Sequence, residues 1–392
     1  MDTDTTLSSR ERVLRALEHR EPDRVPYDLG TSGATGIHVN ALRRVLPYLG
    51  FEDKDVQVGD FRGQLAELDE DIRQRLKVDT QAVPRNPGAS SPRPECNGKY
   101  WTTRDEWGAV WKMPVKNGQQ FVPYQAPMAH FSEISELENY PWPEVARPQR
   151  IEAMAAEAKR LYEETDRALM VGSCSLGFFQ MGWLLRGFEN FALDLVQNTA
   201  FAEALMERIL ALKMMYWGAL LPKLDGKVPI VREDDDYGHQ SGLQISPDIF
   251  RRLIKPRWRR LFDFMREKAI GKVYIYFHSC GAIRYLIPDL IEIGVQILNP
   301  IQVSAAGMDT RELKAEFGRD ITFWGGGVDT QYTLPYGSPE EVRNEVRRRI
   351  ADLAPGGGFV FTPVHNIQAD VPPENLIAMW EALGDFGQYQ DP

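Results

Sequence analysis

Residues 273–281 read VYIYFHSCG, a run of β-branched and aromatic residues that ends in polar residues and glycine. Such a run is typical of a buried strand in a parallel sheet, and its polar end is typical of the loop that follows. In both directions along the chain, similar short runs alternate with longer stretches of helical period, which is the pattern of βα units. Eight such runs occur, at 24–29, 76–83, 168–173, 228–233, 273–278, 295–300, 321–325 and 359–363.

Eight strand–helix units favour a (β/α)8 barrel of the α/β class, because a doubly wound sheet usually contains fewer strands. The segments between the runs carry helix start signals. Ser246-Pro247-Asp248 offers an N-cap, a proline for the first turn and an acidic residue beside it, and Ser338-Pro339-Glu340 repeats the pattern. Pro26 interrupts the first run. We therefore predict a TIM barrel.

One region interrupts this alternation. Residues 84–148 are rich in proline and aromatic residues, among them Trp101, Trp107 and Trp111. The pattern predicts a hairpin with a long return, inserted after the second strand of a single domain that covers residues 1–392. An insertion there either forms a wall beside the active site or packs without contact to substrate. Its tryptophans are compatible with an aromatic ligand or with plain packing.

Composition limits the class of protein. The chain has 392 residues, 43% of them hydrophobic, and a formal net charge of -10, which disfavours nucleic-acid binding. Its apolar runs are too short to span a bilayer, and residues 1–9 lack the features of a secretory signal. Three cysteines are too few for a disulfide framework. We expect a cytoplasmic protein that binds a small molecule, without nucleic acid or membrane.

His278 and Cys280 come at the end of the run quoted first, separated by one residue. Because the strand ends there and the chain turns, both side chains can face one point. Imidazole and thiolate suit zinc, and His365, at the end of the last run, is the best third ligand. The alternative is a core histidine beside a buried thiol. Oxygen ligands could come from the acidic residues that end the run 228–233, namely Glu233, Asp235 and Asp236.

Further polar residues accompany the predicted strands. In the acidic run 233–236, alternate side chains should face barrel and surface, and an inward carboxylate implies a metal, an arginine or a substrate cation. The other interpretation is a solvated loop. We assign proton transfer to Asp235 or Asp236 and substrate contacts to residues placed at strand ends, namely Asp28, Tyr237 and Asn299.

The sequence also resembles a known family. Residues 9–17 (SRERVLRAL), 22–26 (PDRVP), 245–247 (ISP), 278–281 (HSCG), 325–329 (GGGVD) and 372–376 (PPENL) are similar to segments of the uroporphyrinogen decarboxylase superfamily. The resemblance extends from about Ser9 to Gly384. It implies a distorted (β/α)8 barrel, in agreement with the strand count, and it suggests a homodimer.

The resemblance implies two chemistries. Decarboxylases of the superfamily use no metal, and they bind a tetrapyrrole through arginines after the first strand and an aspartate after the second, which Asp79 resembles. Residues 27–36 contain no arginine, however, and Trp183 stands where a pocket tyrosine is usual. A substrate with many carboxylates needs fixed cations. These departures question porphyrinogen decarboxylation, and Trp183 is expected to contact substrate.

The other branch comprises methyltransferases that move a methyl group between a corrinoid protein and a thiol such as coenzyme M. His278 and Cys280 resemble two of their zinc ligands, whereas His365 stands in the position of their third ligand, a cysteine. Nitrogen in place of sulfur leaves the metal a stronger Lewis acid. The replacement of cysteine by histidine therefore argues against a thiol substrate more than it argues against metal binding.

We therefore predict a zinc-dependent methyltransferase, with methylcobalamin or another corrinoid as co-substrate and a corrinoid protein as partner. The acceptor or donor is a thiol or a methoxylated or hydroxylated small molecule. The alternative is a metal-independent carboxy-lyase in which Asp79 stabilises positive charge, and a third hypothesis is a non-catalytic binding relative.

Overall fold

The computed structural model describes residues 7–87 and 94–389. Residues 1–6 of the N-terminal segment and residues 88–93 of the predicted insertion lie outside the described part. Seven parallel strands curl into one sheet, each hydrogen-bonded to the next in chain order. They correspond to the predicted runs from the second to the eighth and have the bounds Thr80–Val83, Ala168–Gly172, Ile230–Asp234, Tyr274–His278, Ile297–Asn299, Thr322–Trp324 and Phe359–Val360.

The first predicted run is not a regular strand, yet it closes the barrel. Phe361 N donates to Pro26 O over 2.8 Å and Asp28 N donates to Phe361 O over 2.9 Å, while Asp79 N donates to Tyr27 O over 2.8 Å. The segment 26–28 therefore joins the first and last strands of the sheet. Pro26 has no N–H and cannot continue a ladder, which explains why the pairing stays irregular. The (β/α)8 fold class is confirmed.

Helices alternate with the strands and begin where the start signals predicted. Ser246 Oγ accepts from Ile249 N, and Ser338 forms a capping box with Glu341. Among the described residues, no helix combines the length and apolarity needed to cross a bilayer. The α-helices are Ser9–Leu17, Val39–Val45, Glu70–Arg75, Ile134–Glu138, Pro148–Glu164, Phe178–Arg186, Phe188–Gln197, Thr199–Leu220, Pro247–Ile249, Lys255–Lys268, Ile287–Glu292, Thr310–Phe317, Thr333–Tyr336, Pro339–Leu353 and Pro373–Phe386.

Short helices and two small strand pairs lie between the main elements of the described chain. Three 3₁₀-helices and one π-helix join the main elements, at Leu46–Leu49, Leu221–Leu224, Arg284–Leu286 and Phe250–Ile254. Two small antiparallel pairs lie outside the barrel, formed by Val58–Asp60 with Leu65–Ala66 and by Gly238–His239 with Gly242–Leu243.

The helix Ser9–Leu17 closes the amino end of the barrel. Val13 and Leu17 pack with the inward apolar side chains of the strands in a small core of their own. Arg12, on the same helix, donates to Asp79 over 2.7 Å. One end of the barrel is thus filled, and the open end lies at the carboxyl ends of the strands.

The described part of the insertion contains an antiparallel sheet of four strands, where the sequence predicted a hairpin with a long return. Trp107 packs edge-on against Trp142, and Trp111 Nε1 donates to Asp105 over 2.8 Å, so both side chains serve packing within the insertion. Met128 N donates to Leu185 O, which attaches the insertion to the helix Phe178–Arg186, after the strand Ala168–Gly172. The strands of the insertion are Glu95–Cys96, Tyr100–Arg104, Val110–Pro114 and Val122–Gln125.

Candidate metal centre at the carboxyl end of the barrel

The strand Tyr274–His278 delivers the first two ligand candidates. Because side chains alternate along a strand, Tyr274, Tyr276 and His278 face the barrel interior, with His278 at the open end. Gly281 then turns with φ +90°, and a Cβ there would meet Gly238 C at 2.3 Å. This turn brings Cys280 Sγ to 3.4 Å from His278 Nε2.

His365 completes the group from the loop after the last strand. One ligand atom from each of His278, Cys280 and His365 lies within 4.8 Å of the others, and the two imidazole centroids are 5.7 Å apart. Burial, aided by the charges of His278 and Arg232, lowers the pKa of His365 to about 3. His365 is therefore a neutral imidazole at physiological pH, which is the form that binds metal.

Asn299 fixes the orientation of His278. Its Nδ2 donates to Trp324 O over 2.8 Å, so its Oδ1 is the acceptor that faces His278 Nδ1 at 2.6 Å. His278 Nδ1 must then carry the proton, and the lone pair of Nε2 points to the three-residue group. A partner that fixes the tautomer in this way is typical of metal-ligating histidines.

The electrostatics of Cys280 favour a cation. Burial and the neighbouring Asp236 carboxylate raise the pKa of the Cys280 thiol well above its usual range. Without a compensating cation the thiol stays protonated, whereas a bound metal stabilises the thiolate. Two imidazoles and one thiol within reach of one another match the nitrogen and sulfur donors that zinc prefers. The residues present therefore fit a zinc ion.

Asp236 lies beside the group. Its Oδ1 accepts from Cys280 N over 2.8 Å and lies 3.5 Å from His278 Nε2. Its Oδ2 accepts from Gln180 Nε2 over 2.6 Å. The carboxylate is partly exposed, so it can exchange a proton with a ligand at the mouth.

Asp235 and Glu233 point away from the group. Asp235 is fully buried and accepts from Phe179 N, Gln180 N and Tyr237 Oη, so it caps the helix Phe178–Arg186. Glu233 is buried against Lys213 outside the barrel wall. Both carboxylates already accept hydrogen bonds from neighbouring elements. These contacts do not match the proton transfer expected of Asp235 or the metal binding considered for Glu233.

Two further residues that were expected at the site lie elsewhere. Asp79 precedes its strand and lies at the closed end, where Arg12 and Arg24 pair with its carboxylate. Tyr237 is fully buried between Asp235 and Trp258, whose Nε1 donates to it over 2.7 Å. Neither residue is placed to contact a substrate at the mouth.

The remaining predicted residues lie nearer the mouth. Asp28 is inside the barrel, with its oxygens accepting from Trp324 Nε1 and Thr80 Oγ1. Trp183 is half-buried one turn after Gln180 on the same helix and packs against the main core. Asn299 positions His278 instead of meeting substrate directly.

Sequence reasoning missed three inward residues: Arg232, Asp234 and Tyr276. Arg232 pairs with Tyr276 in the ladder between neighbouring strands, and Asp234 pairs with His278. Arg232 Nη2 lies 2.8 Å from Asp234 Oδ2. The alternation that starts from the inward Ile230 would have identified Arg232 and Asp234 as inward.

Comparisons with known proteins agree with this architecture. The profile of the uroporphyrinogen decarboxylase (URO-D) family matches residues 112–386. A uroporphyrinogen decarboxylase of Alkalilimnicola ehrlichii is 50% identical over 48 residues, which are 12% of this chain and 13% of that protein. A uroporphyrinogen decarboxylase of Actinobacillus succinogenes is 34% identical over 77 residues, 20% of this chain and 21% of that protein. The chain thus matches about a fifth or less of the length of these relatives.

A solved structure matches over nearly the whole chain. The methyltransferase from Methanosarcina mazei superposes with a TM-score of 0.66 and 18% sequence identity, covering 97% of this chain and 99% of that one. At this identity the likeness shows that the two proteins share a fold.

Proposed function

This chain belongs to the uroporphyrinogen decarboxylase (URO-D) family, and we propose that within this enzyme family it is a zinc-dependent methyltransferase. The methyl group moves between a corrinoid, carried by a separate protein that docks at the barrel mouth, and a small molecule. That molecule is a thiol or a methoxylated or hydroxylated compound.

The observation that carries the proposal is the group of His278, Cys280 and His365. Their ligand atoms lie within 4.8 Å of one another at the open end of the barrel, where enzymes of this fold place their chemistry. The methyltransferase of Methanosarcina mazei, which shares the fold over 97% of this chain, adds support for this chemistry over others in the family.

The chain's own residues divide the work. Asn299 holds His278 with its Nε2 lone pair toward the group, and Asp236 stands next to it as a proton acceptor for a thiol or hydroxyl. A zinc ion held by the three side chains would lower the pKa of a substrate thiol or hydroxyl and so favour its nucleophilic anion. It would polarise the oxygen of a methoxy group.

The alternative is a carboxy-lyase, and the names of the two curated decarboxylases favour it. Their matches cover 12% and 20% of this chain. This alternative assigned the charge-stabilising role to Asp79, and the pairing of Asp79 with Arg12 and Arg24 at the closed end supports methyl transfer over it. We therefore retain methyl transfer as the better-supported function.

Metal analysis of the purified protein tests the proposal. We expect about one zinc per chain, lost in His365→Ala and Cys280→Ser and retained in His239→Ala. His239 is the matched control because its exposed ring contacts Ser241 and is not one of the three grouped ligands. Methyl transfer from methylcobalamin to a panel of thiols and phenols should follow the zinc content. A protein without stoichiometric metal whose activity survives His365→Ala contradicts the proposal.

A further inference from the structure

Unpartnered polar atoms gather inside the barrel. In the described part of the chain, twelve buried side-chain nitrogen or oxygen atoms have no hydrogen-bond partner. Five of them belong to inward-facing side chains in the barrel strands or just after a strand end. These atoms are Arg232 Nε, Asp234 Oδ1, Tyr276 Oη, Thr322 Oγ1 and Thr362 Oγ1. Leaving a buried polar group without a partner lowers stability, so such a concentration indicates a surface that meets a polar ligand.

Three of these residues lie level with His278 or one row below it. We call Arg232, Asp234 and Tyr276 the lumen triad. The parallel register pairs Asp234 with His278 and Arg232 with Tyr276, so the triad occupies the row of His278 and the row below it. Gly172 pairs with Arg232 on its other side, and an added Cβ there would lie 3.9 Å from Arg232 Nη1. Among the described residues other than its chain neighbours, that nitrogen is the one heavy atom within 4 Å of the added Cβ, so the space beside the guanidinium on this side is open.

The charges of the triad specify the kind of ligand. Arg232 Nη2 is paired with Asp234 Oδ2 at 2.8 Å, so the two side chains are together neutral. A carboxylate next to Arg232 would also face Asp234 and be repelled, and an ammonium next to Asp234 would face Arg232. A neutral group that both donates and accepts satisfies the free oxygen of Asp234 and the free nitrogen of Arg232 together. A hydroxyl group has this capacity, and Tyr276 Oη supplies a further partner.

We infer that the lumen triad recognises a hydroxyl group on the small-molecule substrate, adjacent to the sulfur or oxygen atom that reacts at the candidate metal centre. This inference rests on the proposed function and narrows its substrate class to hydroxylated thiols or hydroxylated ethers. Arg232, Asp234 and Tyr276 act in it as specificity-determining residues.

The test compares two thiols that differ in the hydroxyl group, 2-mercaptoethanol and ethanethiol, bound to the zinc-loaded protein and measured by calorimetric titration. The two thiols also differ in acidity, which affects their binding to the parent and to each variant alike. The informative quantity is therefore the change, from parent to variant, in the affinity for 2-mercaptoethanol relative to ethanethiol. Tyr276→Phe removes a single hydroxyl and keeps the buried ring, so it is expected to fold, and Arg232→Gln removes the main donor. Tyr389→Phe is the control, because its hydroxyl binds Ala354 O away from the mouth.

We expect the preference for 2-mercaptoethanol to fall at least about tenfold in Arg232→Gln, to fall less in Tyr276→Phe and to remain in Tyr389→Phe, with zinc content unchanged. An unchanged preference in both lumen variants overturns the inference but leaves the proposed function intact, and it means that the triad holds only ordered water. A parent protein that binds neither zinc nor thiol overturns the proposed function, and this inference with it.

Discussion

Asn299 is predicted to control metal affinity without touching the metal. It accepts from His278 Nδ1 at 2.6 Å and donates to Trp324 O at 2.8 Å, so Asn299→Ala frees the imidazole to rotate and to change tautomer. Loss of such a partner typically weakens metal binding about 10–100-fold. This corresponds to about 1.4–2.7 kcal/mol of zinc-binding free energy. Competition titration against a chromophoric chelator measures the zinc affinity directly.

A matched control separates this effect from a general loss of stability. Asn375 is also a buried asparagine with two backbone partners, the carbonyl oxygens of Leu334 and Gly337, each at 2.8 Å. Asn375→Ala should lower the free energy of unfolding by about 1–3 kcal/mol, as Asn299→Ala should, but leave zinc affinity unchanged. The reasoning is refuted if Asn299→Ala binds zinc within threefold of the parent, or if both variants lose affinity equally.

Three further changes test the assignments at a distance from the centre. Asp79→Asn leaves two arginines without their buried carboxylate and should lower the free energy of unfolding by about 3–5 kcal/mol in urea denaturation. Its zinc affinity should stay at the parental value, and a loss of zinc would place Asp79 back at the centre. Gly177→Ala should cost about 1–3 kcal/mol by the same assay. The added Cβ would approach Asp235 Cβ within 2.3 Å, whereas the control Gly242→Ala meets nothing within 4 Å and should be neutral. Burial lowers the pKa of Lys314 from 10.5 to about 8. Between these pH values the unfolded chain binds a proton that the folded chain has released, so the stability of the parent should rise with pH there. Relative to Lys314→Met, the gain should be about 1–2 kcal/mol, reduced by the partial exposure of the side chain, and a pH-independent difference contradicts the assignment.

Most of the fold could be predicted because parallel strands and helix caps leave local patterns. Seven of the eight apolar runs coincide with observed strands, although the strand Ile230–Asp234 extends one residue beyond its run, and the caps at Ser246 and Ser338 begin helices as expected. The first run was wrong as a strand, since Pro26 cannot donate to a ladder and its neighbours make only isolated bridges. Closure of the barrel depends on contacts between distant residues, which local patterns do not record.

The site was predictable where one strand and one turn determine it. His278 and Cys280 share a strand end, and the last strand brings His365 to the same mouth. The acidic run was harder, because its assignment depends on which residues face inward. The proton-transfer role predicted for Asp235 required its side chain to face the lumen. Instead Asp234 faces the lumen, and Asp235 caps a helix. Asp79 was expected at the carboxyl end of its strand. The strand begins at Thr80, so Asp79 lies at the amino end instead.

The seam at residues 26–28 also has a consequence for folding. Tyr27 bridges to Phe361, and Arg24 to Gln388, so the segment that completes the cylinder waits for partners more than 330 residues further along the chain. During synthesis the segment 26–28 therefore has one hydrogen-bonding edge uncovered until Phe361 is made, and we expect contacts of such high sequence separation to form slowly. A nascent chain halted before Phe359 retains an open edge that a holdase chaperone or another chain can pair with.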